Sequence, residues 1–301
     1  MAKTNVVTLD LNFQGSPRAI ASYLIRHSGG AVLIDCGPST TIPTLQAGLE
    51  ANGLSVASVT HVLLTHIHLD HAGAAGWWAA QGAQIVVHPV GAPHMLSPQK
   101  LLASATRIYG ESMDTLWGQF LPVPENRLTV PKPDEDIAVG NLHFRPIDTP
   151  GHAEHHYAYV LDDILFSGDI GGVRIPGYRY LRVPMPPPEL NFEKWRTSIQ
   201  RLRREKANRI GPTHFGLFDD PGWQLQAVQD GLDAAERWLE HAMPDNPPIE
   251  KLRQDFAAWV TDEGLRQSLS ADVVEAYDLA NPTGMSADGL LRYWRKFRTP
   301  A

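Results

Sequence analysis

The heptapeptide Thr65-His66-Ile67-His68-Leu69-Asp70-His71 places three imidazoles and one carboxylate at the end of an apolar run. The apolar run, residues 59–65, predicts a β-strand, and residues 72–81 predict a short helix that follows it. Side chains spaced this closely cannot all point in one direction from a strand or from a helix. A tight loop between the two elements can instead aim them into two adjacent sites.

Further residues that can bind metals stand at the ends of other predicted strands. Asp35 ends the strand over residues 31–35, and His152, Asp169 and His214 each follow a later strand-like run. Because the strands of an α/β scaffold hold their end loops at one rim, we expect these residues to gather at a common site. Imidazole and carboxylate ligands without a thiolate suit zinc, iron or manganese.

The spacing within the heptapeptide indicates two metal ions rather than one. His66 and His68 can both face one ion from an extended turn, whereas Asp70 and His71 lie beyond the turn and can face a second. Two divalent cations about 3.5–4 Å apart repel each other, so a shared carboxylate is favoured, and Asp169 is the candidate bridge. A water shared by two such ions has its pKa lowered toward about 7 and becomes a nucleophile at neutral pH.

The heptapeptide is followed, in order, by Pro150-Gly151-His152, Ser167-Gly168-Asp169 and Pro212-Thr213-His214. This ordered set resembles the signature segments of the metallo-β-lactamase superfamily, and the resemblance covers residues 5–218. It implies an α/β fold, namely an αββα sandwich that carries its metal ions in a shallow cleft at one edge.

The resemblance also implies which side chains bind the two divalent ions, with zinc the expected metal and iron or manganese as alternatives. It assigns the ligands to two groups that share one carboxylate: His66, His68 and His152 for one ion, Asp70, His71 and His214 for the other, and Asp169 between them. The segment Leu33-Ile34-Asp35-Cys36-Gly37 resembles an early strand of the family, whose aspartate orients a ligating histidine instead of binding the metal.

The resemblance implies a metal-dependent hydrolase in which a metal-bound hydroxide attacks the carbonyl of an ester, thioester or lactone. Asp70 is the expected catalytic residue, because it can orient the hydroxide and pass a proton to the leaving group. Residues 168–173 lack the Cys-Gly-Arg stretch of the glyoxalase II branch, so we expect a lactonase-like or glyoxalase-II-like member, not a glutathione thioesterase proper. A mononuclear iron sulfur dioxygenase, which uses His66 or His68 with His152 and Asp169, and a phosphodiesterase remain as alternatives.

The substrate itself carries no recognisable motif in this sequence. Several side chains near the motifs could face it, and the sequence leaves their contacts open: Arg174, Tyr157, Tyr178, Tyr180, His155 and His156. We expect the cleft walls to come from residues 93–121, from residues 171–188 and from the C-terminal helices.

Composition limits the partners and the surroundings of the protein. The chain of 301 residues has a formal net charge of −7, which argues against nucleic acid or an anionic membrane and favours a small-molecule substrate. The single cysteine, Cys36, excludes a disulfide framework and a cysteine-ligated iron–sulfur cluster. Without a signal-like N-terminus or a run of about 18 apolar residues, the expected compartment is the cytoplasm.

Strand patterns stop near residue 220, and four helical patterns follow them. We therefore predict a metallo-β-lactamase-like domain over residues 1–220 and a helical extension over residues 221–301. Leu225, Val228 and Leu232 recur at helical spacing and need an apolar partner, so we predict that the extension packs on the core of the same chain. Trp259, Trp294 and Phe297 add apolar surface that suits a roof over the cleft or a homodimer face. Within the first domain, residues 101–120 predict one further helix.

Overall fold

The computed structural model describes residues 4–299, which form two facing β-sheets with helices on both outer sides. The strands are β1 (Val6–Asp10), β2 (Ala21–His27), β3 (Gly30–Ile34), β4 (Val59–Leu63), β5 (Gln84–Val86), β6 (Leu128–Thr129), β7 (Ile137–Val139), β8 (Leu142–Asp148), β9 (Tyr157–Leu161), β10 (Ile164–Phe166) and β11 (Arg209–Gly211). The first sheet has the order β1-β2-β3-β4-β5-β6, and the second has the order β11-β10-β9-β8-β7.

Eleven α-helices cover the sheets within the described residues. They are α1 (Ile42–Ala51), α2 (Leu69–Ala72), α3 (Ala75–Ala80), α4 (Ala92–Leu96), α5 (Gln99–Tyr109), α6 (Met113–Leu116), α7 (Phe192–Leu202), α8 (Pro221–Ala242), α9 (Ile249–Arg266), α10 (Ala271–Ala280) and α11 (Thr283–Phe297).

Side chains that alternate between the two faces of each strand explain why helices cover the outer face of each sheet. In β3, Val32 and Ile34 are buried between the two sheets, whereas Leu33 faces outward and packs with Leu45 of α1. Leu165 of β10 likewise packs outward, in a cluster that includes residues of α7 and α8. Because successive strand residues point to opposite faces, each sheet has two apolar faces and needs cover on both. The αββα sandwich predicted from the sequence is confirmed.

Parallel pairing brings the functional loops to one edge. Strand β4 runs parallel to β3, and β11 runs parallel to β10, so in each pair both strands end on the same side of their sheet. Asp35 follows β3, and Thr65 follows β4. Asp169 and His214 follow β10 and β11 in the same way, which places all four residues at the ends of parallel strands.

The C-terminal helices continue the outer helical layer over the second sheet. Leu225, Val228 and Leu232 of α8 are buried in one cluster with Trp195 of α7. The predicted packing of the helical region on the core of the same chain is therefore confirmed. Strand β11 ends at Gly211 and α8 begins at Pro221, and a domain boundary near residue 220 stays a prediction. Among the described residues, no helix combines the length and the apolarity that a membrane span requires.

The single helix predicted over residues 101–120 is wrong. Helix α5 ends at Tyr109, Gly110 has a φ of 53°, and a short α6 follows before an irregular segment. A positive φ is easily adopted by glycine and ends an α-helix, so the glycine interrupts an apolar pattern that would otherwise read as one helix.

Candidate metal centre

The metal ligands predicted from the sequence meet at one edge of the sandwich. His66 and His68 lie in the turn between β4 and α2, and α2 itself carries Asp70 and His71. The other three come from distant segments of the chain, after β8, β10 and β11 respectively: His152, Asp169 and His214. All are buried except His68 and Asp70, which are half-buried at the surface of a cleft.

Three imidazole nitrogens converge in the first group. Nε2 of His66 lies 2.9 Å from Nδ1 of His68, and Nε2 of His152 lies 3.0 Å from the same atom. The Nδ1 atom of His66 lies 3.2 Å from the hydroxyl of Thr65, and Nδ1 of His152 lies 3.0 Å from the carbonyl oxygen of Pro184. A proton on each Nδ1 satisfies these acceptors and leaves both Nε2 lone pairs directed at the convergence point.

The second group combines two imidazoles with a carboxylate. Oδ2 of Asp70 lies 3.6 Å from Nε2 of His71 and 3.4 Å from Nε2 of His214. Nδ1 of His214 lies 2.6 Å from the carbonyl oxygen of Ala19, so this nitrogen carries the proton and leaves Nε2 free. The three ligand-capable atoms of each group lie within 4.8 Å of one another.

Asp169 lies between the two groups. Its Oδ2 is 3.3 Å from Nε2 of His152, whereas its Oδ1 is 3.2 Å from Nε2 of His71 and 3.5 Å from Nε2 of His214. The preceding Gly168 has a φ of 51°, and a Cβ there would lie 2.6 Å from Nε2 of His156. Glycine thus allows the loop after β10 to come close enough for each carboxylate oxygen to face one group.

Asp35 connects two of the segments that carry these residues, residues 65–71 after β4 and the loop after β11. It accepts hydrogen bonds from the backbone N–H and the hydroxyl of Thr65 at 2.7 and 2.8 Å, and from the hydroxyl of Thr213 at 2.7 Å. It also accepts a hydrogen bond from Nδ1 of His71 at 2.8 Å. The sequence predicted a carboxylate that orients a histidine, and the contacts with Thr65 and Thr213, which precede His66 and His214, were not predicted.

The first group consists of imidazoles that stay neutral at physiological pH. Burial is the main cause that lowers the pKa of His66 well below 6.5, with repulsion from His71 next. Burial, followed by repulsion from His152, lowers the pKa of His68 to about 4. Burial also lowers the pKa of His152. A neutral imidazole is the form that binds a metal.

Carboxylates dominate the electrostatics of the second group. Burial opposes protonation of His71, but the charges of Asp169, Asp70 and Asp35 outweigh it and raise its pKa well above 6.5. Burial would also raise the pKa of Asp70, but His71 and His214 lower it to about 2. Asp70 is therefore ionised and places negative charge where a cation would bind.

Two buried atoms of the centre have no hydrogen-bond partner within the described part of the chain, Nε2 of His71 and Oδ1 of Asp169. Such orphaned polar atoms are costly in a protein interior unless another group satisfies them. Nδ1 of His71 donates its proton to Asp35, so once His71 loses its second proton, Nε2 presents a lone pair 3.2 Å from Oδ1 of Asp169. A divalent cation fits this arrangement, and the nitrogen and oxygen donors suit zinc, iron or manganese.

Most of the other polar side chains that the sequence left open lie away from the cleft. Tyr157 is buried and donates a hydrogen bond to the carbonyl oxygen of Pro131. Tyr180 packs edge-on against Tyr277 of α10, and Tyr178 does not line the cleft either. These three tyrosines therefore take part in packing or face solvent.

Arg174 and the two histidines after His152 have different surroundings. Both terminal nitrogens of Arg174 donate to Asp220, and the guanidinium stacks on Phe218 and Trp223. His156 is buried behind His66, with their ring centroids 5.0 Å apart. His155 lines the cleft, and its Nε2 lies 3.6 Å from a carboxylate oxygen of Glu189. Of the six side chains left open, only His155 faces the cleft.

The cleft above the centre is a cavity of about 420 Å³. Its walls come from the three regions predicted, namely α4 to Trp117, the segment Pro184 to Glu189, and the turn between α10 and α11. Phe13 and Ile20, on the loop between β1 and β2, complete the lining and were not predicted. An isolated aromatic or aliphatic residue in a loop carries no signal that separates a cleft wall from the core.

The family model described as the metallo-beta-lactamase superfamily matches residues 15–214. The chain belongs to the metallo-β-lactamase superfamily. A metallo-beta-lactamase fold-containing protein of Sulfurisphaera tokodaii is 26% identical over 205 residues, which cover 67% of this chain and 74% of that protein. A hydroxyacylglutathione hydrolase of Xanthomonas campestris is 30% identical over 146 residues, and the match covers 48% of this chain and 44% of that enzyme.

A crystal structure of a metallo-beta-lactamase family protein from Thermus thermophilus has the same fold. It matches with a TM-score of 0.67 at 19% identity and covers 97% of this chain and 93% of that one. Because the match spans nearly the whole chain of this superfamily member, it includes the C-terminal helices as well as the sandwich.

Proposed function

We propose that this superfamily member is a dinuclear metal-dependent hydrolase that cleaves a small-molecule ester, thioester or lactone, with zinc as the preferred metal. The observation that carries the proposal is Asp169, whose two oxygens face two separate groups of ligand-capable atoms. Similarity to a hydroxyacylglutathione hydrolase over about half of the chain supports carbonyl chemistry of this kind.

The proposed ligand sets follow from the two groups: His66, His68 and His152 for one ion, Asp70, His71 and His214 for the other, and Asp169 for both. When bound, such a pair of ions supplies Lewis-acid activation of water and of the substrate carbonyl. The role of the chain is to hold four of the five imidazoles, those of His66, His71, His152 and His214, in the tautomer whose Nε2 can bind an ion. Their Nδ1 protons are accepted by the hydroxyl of Thr65, the carboxylate of Asp35 and the carbonyl oxygens of Pro184 and Ala19.

Asp70 is the proposed catalytic carboxylate. It lines the cleft, and its pKa of about 2 keeps it ionised at neutral pH, so it can accept a hydrogen bond from the attacking water. Hydrolysis adds the water oxygen to the carbonyl carbon, breaks the bond to the leaving oxygen or sulfur, and returns one proton to that atom. A carboxylate beside the water can carry this proton.

The test combines elemental analysis with an activity panel. Protein purified without chelator is reconstituted with zinc, iron or manganese, and its ions are counted by mass spectrometry. Lactone, thioester, aryl ester and phosphodiester substrates are then compared. Two ions per chain with turnover of a carbonyl substrate supports the proposal.

Two other outcomes would replace the proposal of a carbonyl hydrolase. One iron per chain with oxygen uptake on a persulfide would identify a sulfur dioxygenase, and preferential turnover of the phosphodiester would identify a phosphodiesterase.

A further inference from the structure

One face of helix α5 lines the cleft, and part of the same face packs against the protein core, with Ala105 buried. Besides Lys100, the cleft-facing residues of α5 recur at positions i, i+3, i+4, i+7 and i+8: Leu101, Ser104, Ala105, Ile108 and Tyr109. On an α-helix this spacing is a single continuous stripe. An amphipathic helix ordinarily turns such a stripe toward the core, yet Ile108 is 44% exposed. Ile108, together with the half-buried Leu101 and Ser104, thus leaves part of the α5 stripe available to a bound molecule.

The turn between α10 and α11 forms the opposite wall. Leu279, Pro282 and Met285 line the same cavity from that side. The hydroxyl of Tyr109 lies 3.7 Å from Sδ of Met285, so the two walls touch at this point and close one part of the cleft. We call the space between the α5 stripe and residues 279–285 the acyl channel.

The acyl channel opens directly onto the metal centre. His68, Asp70 and His152 line the same cavity as the α5 stripe. The charge of Asp278, which also lines the cavity, is balanced by Arg182 at 3.2 Å. A bound molecule would therefore place a reactive group at the metal end and meet predominantly apolar side chains away from it.

We propose that the acyl channel binds the unbranched acyl chain of the substrate, whose ester, thioester or lactone carbonyl lies at the metal centre. This inference rests on the proposed hydrolase function and specifies its substrate class. Burial of each added methylene is expected to raise kcat/KM about threefold to fourfold until the channel is full. Acetyl substrates leave the channel empty and gain nothing from it.

The first experiment measures kcat/KM of the zinc-loaded full-length protein on p-nitrophenyl acetate, butyrate, hexanoate and octanoate. We expect a steep rise with chain length in the unmodified protein. Ser104→Phe fills the channel and is expected to abolish the rise of kcat/KM with chain length. Ile108→Asp is expected to lower octanoate turnover by about tenfold or more, because it places a charge against the chain.

Leu265→Asp is the matched control, since Leu265 lies on α9, is 50% exposed and does not line the cavity. It is expected to retain the chain-length dependence. The melting temperature of each variant shows whether the fold survives. Equal kcat/KM for acetate and octanoate in the unmodified protein, or equal effects of Ile108→Asp and Leu265→Asp, would overturn the acyl channel.

A second measurement separates this inference from the hydrolase proposal. Calorimetric titration with decanoate reports binding without any turnover. Binding that Ile108→Asp weakens by about tenfold and Leu265→Asp leaves unchanged supports the acyl channel, even if no ester in the panel is hydrolysed. Decanoate affinity that is unaffected by Ile108→Asp counts against the channel, whatever the enzyme hydrolyses.

Discussion

Nδ1 of His71 donates a hydrogen bond of 2.8 Å to Oδ2 of Asp35, and both side chains are completely buried. The same oxygen accepts hydrogen bonds from the hydroxyls of Thr65 and Thr213. One carboxylate thus holds an imidazole in a single tautomer and also ties the segments that precede His66 and His214. The position of Asp35 after β3 makes this possible, because β3 lies beside β4 in the first sheet.

Asp35→Asn is expected to weaken metal binding by about tenfold to a hundredfold, because an amide cannot accept all of these hydrogen bonds as a carboxylate does. We also expect a loss of about 3 kcal/mol in the free energy of unfolding. Chelator competition and urea unfolding measure the two effects. Asp136→Asn is the control, since Asp136 pairs with His143 at 2.7 Å on an exposed surface. Equal losses in the two variants would contradict this role of Asp35.

Asp169→Asn is expected to lose mainly one of two bound ions and to lower hydrolytic turnover by about a hundredfold or more. The amide keeps the shape of the side chain but lacks the charge that offsets repulsion between two cations. Metal content, melting temperature and turnover are compared with those of Asp163→Asn, whose carboxylate pairs with Arg209 at 2.7 Å away from the centre. Two ions and undiminished turnover in Asp169→Asn would remove Asp169 from the site.

The two proposed metal sites are expected to release different numbers of protons when each binds an ion. Near pH 6 the metal-free protein keeps His68 neutral, because its pKa is about 4, whereas His71 and His214 have raised pKa values and are protonated. An ion that binds the second group must displace these protons, so its affinity falls as the pH falls. Calorimetry in buffers of different ionisation enthalpy counts the protons, and equal release at both sites would refute the prediction.

Gly168→Ala is expected to destabilise the protein by about 2–3 kcal/mol and to reduce metal affinity. Its Cβ would lie 2.6 Å from Nε2 of His156 and 2.8 Å from Cβ of Thr65, so the loop that carries Asp169 must shift. Gly53→Ala serves as the control, because Gly53 also has a positive φ, 67°, but no atom within 4 Å of the added Cβ. The control isolates backbone strain, expected at about 1 kcal/mol. A similar loss in both variants would show that the contact with His156 is unimportant.

The helical region after residue 220 is expected to be required for stability. Leu232→Ala should cost about 3 kcal/mol, because Leu232 is fully buried among residues of α7 and α8. Leu265→Ala, at an exposed position of α9, should change the free energy of unfolding by less than about 0.5 kcal/mol. A fragment that ends at Asp220 should be insoluble or strongly destabilised. A soluble fragment with full activity would show that the helices are dispensable.

The sequence alone implied the sandwich through the resemblance of its ordered motifs to the metallo-β-lactamase superfamily, and its strand ends indicated which residues gather at one edge. Strand periodicity and strand ends are local properties, and the residues 65–71 combine a strand end with ligand-type side chains over a few positions. Helix α5 shows the limit of such reasoning, since its predicted extension to residue 120 ignored the positive φ of Gly110.

Only the tertiary structure decided how the residues are oriented and what surrounds them. Whether Tyr157 or Tyr109 faces the cleft depends on packing between segments far apart in the chain, and Tyr157 turns inward while Tyr109 meets Met285. The hydrogen bond from Thr213 to Asp35 joins residues 178 positions apart and leaves no local pattern. Ligand-type side chains can be recognised from short-range spacing, whereas a cavity wall exists only once distant helices have packed together.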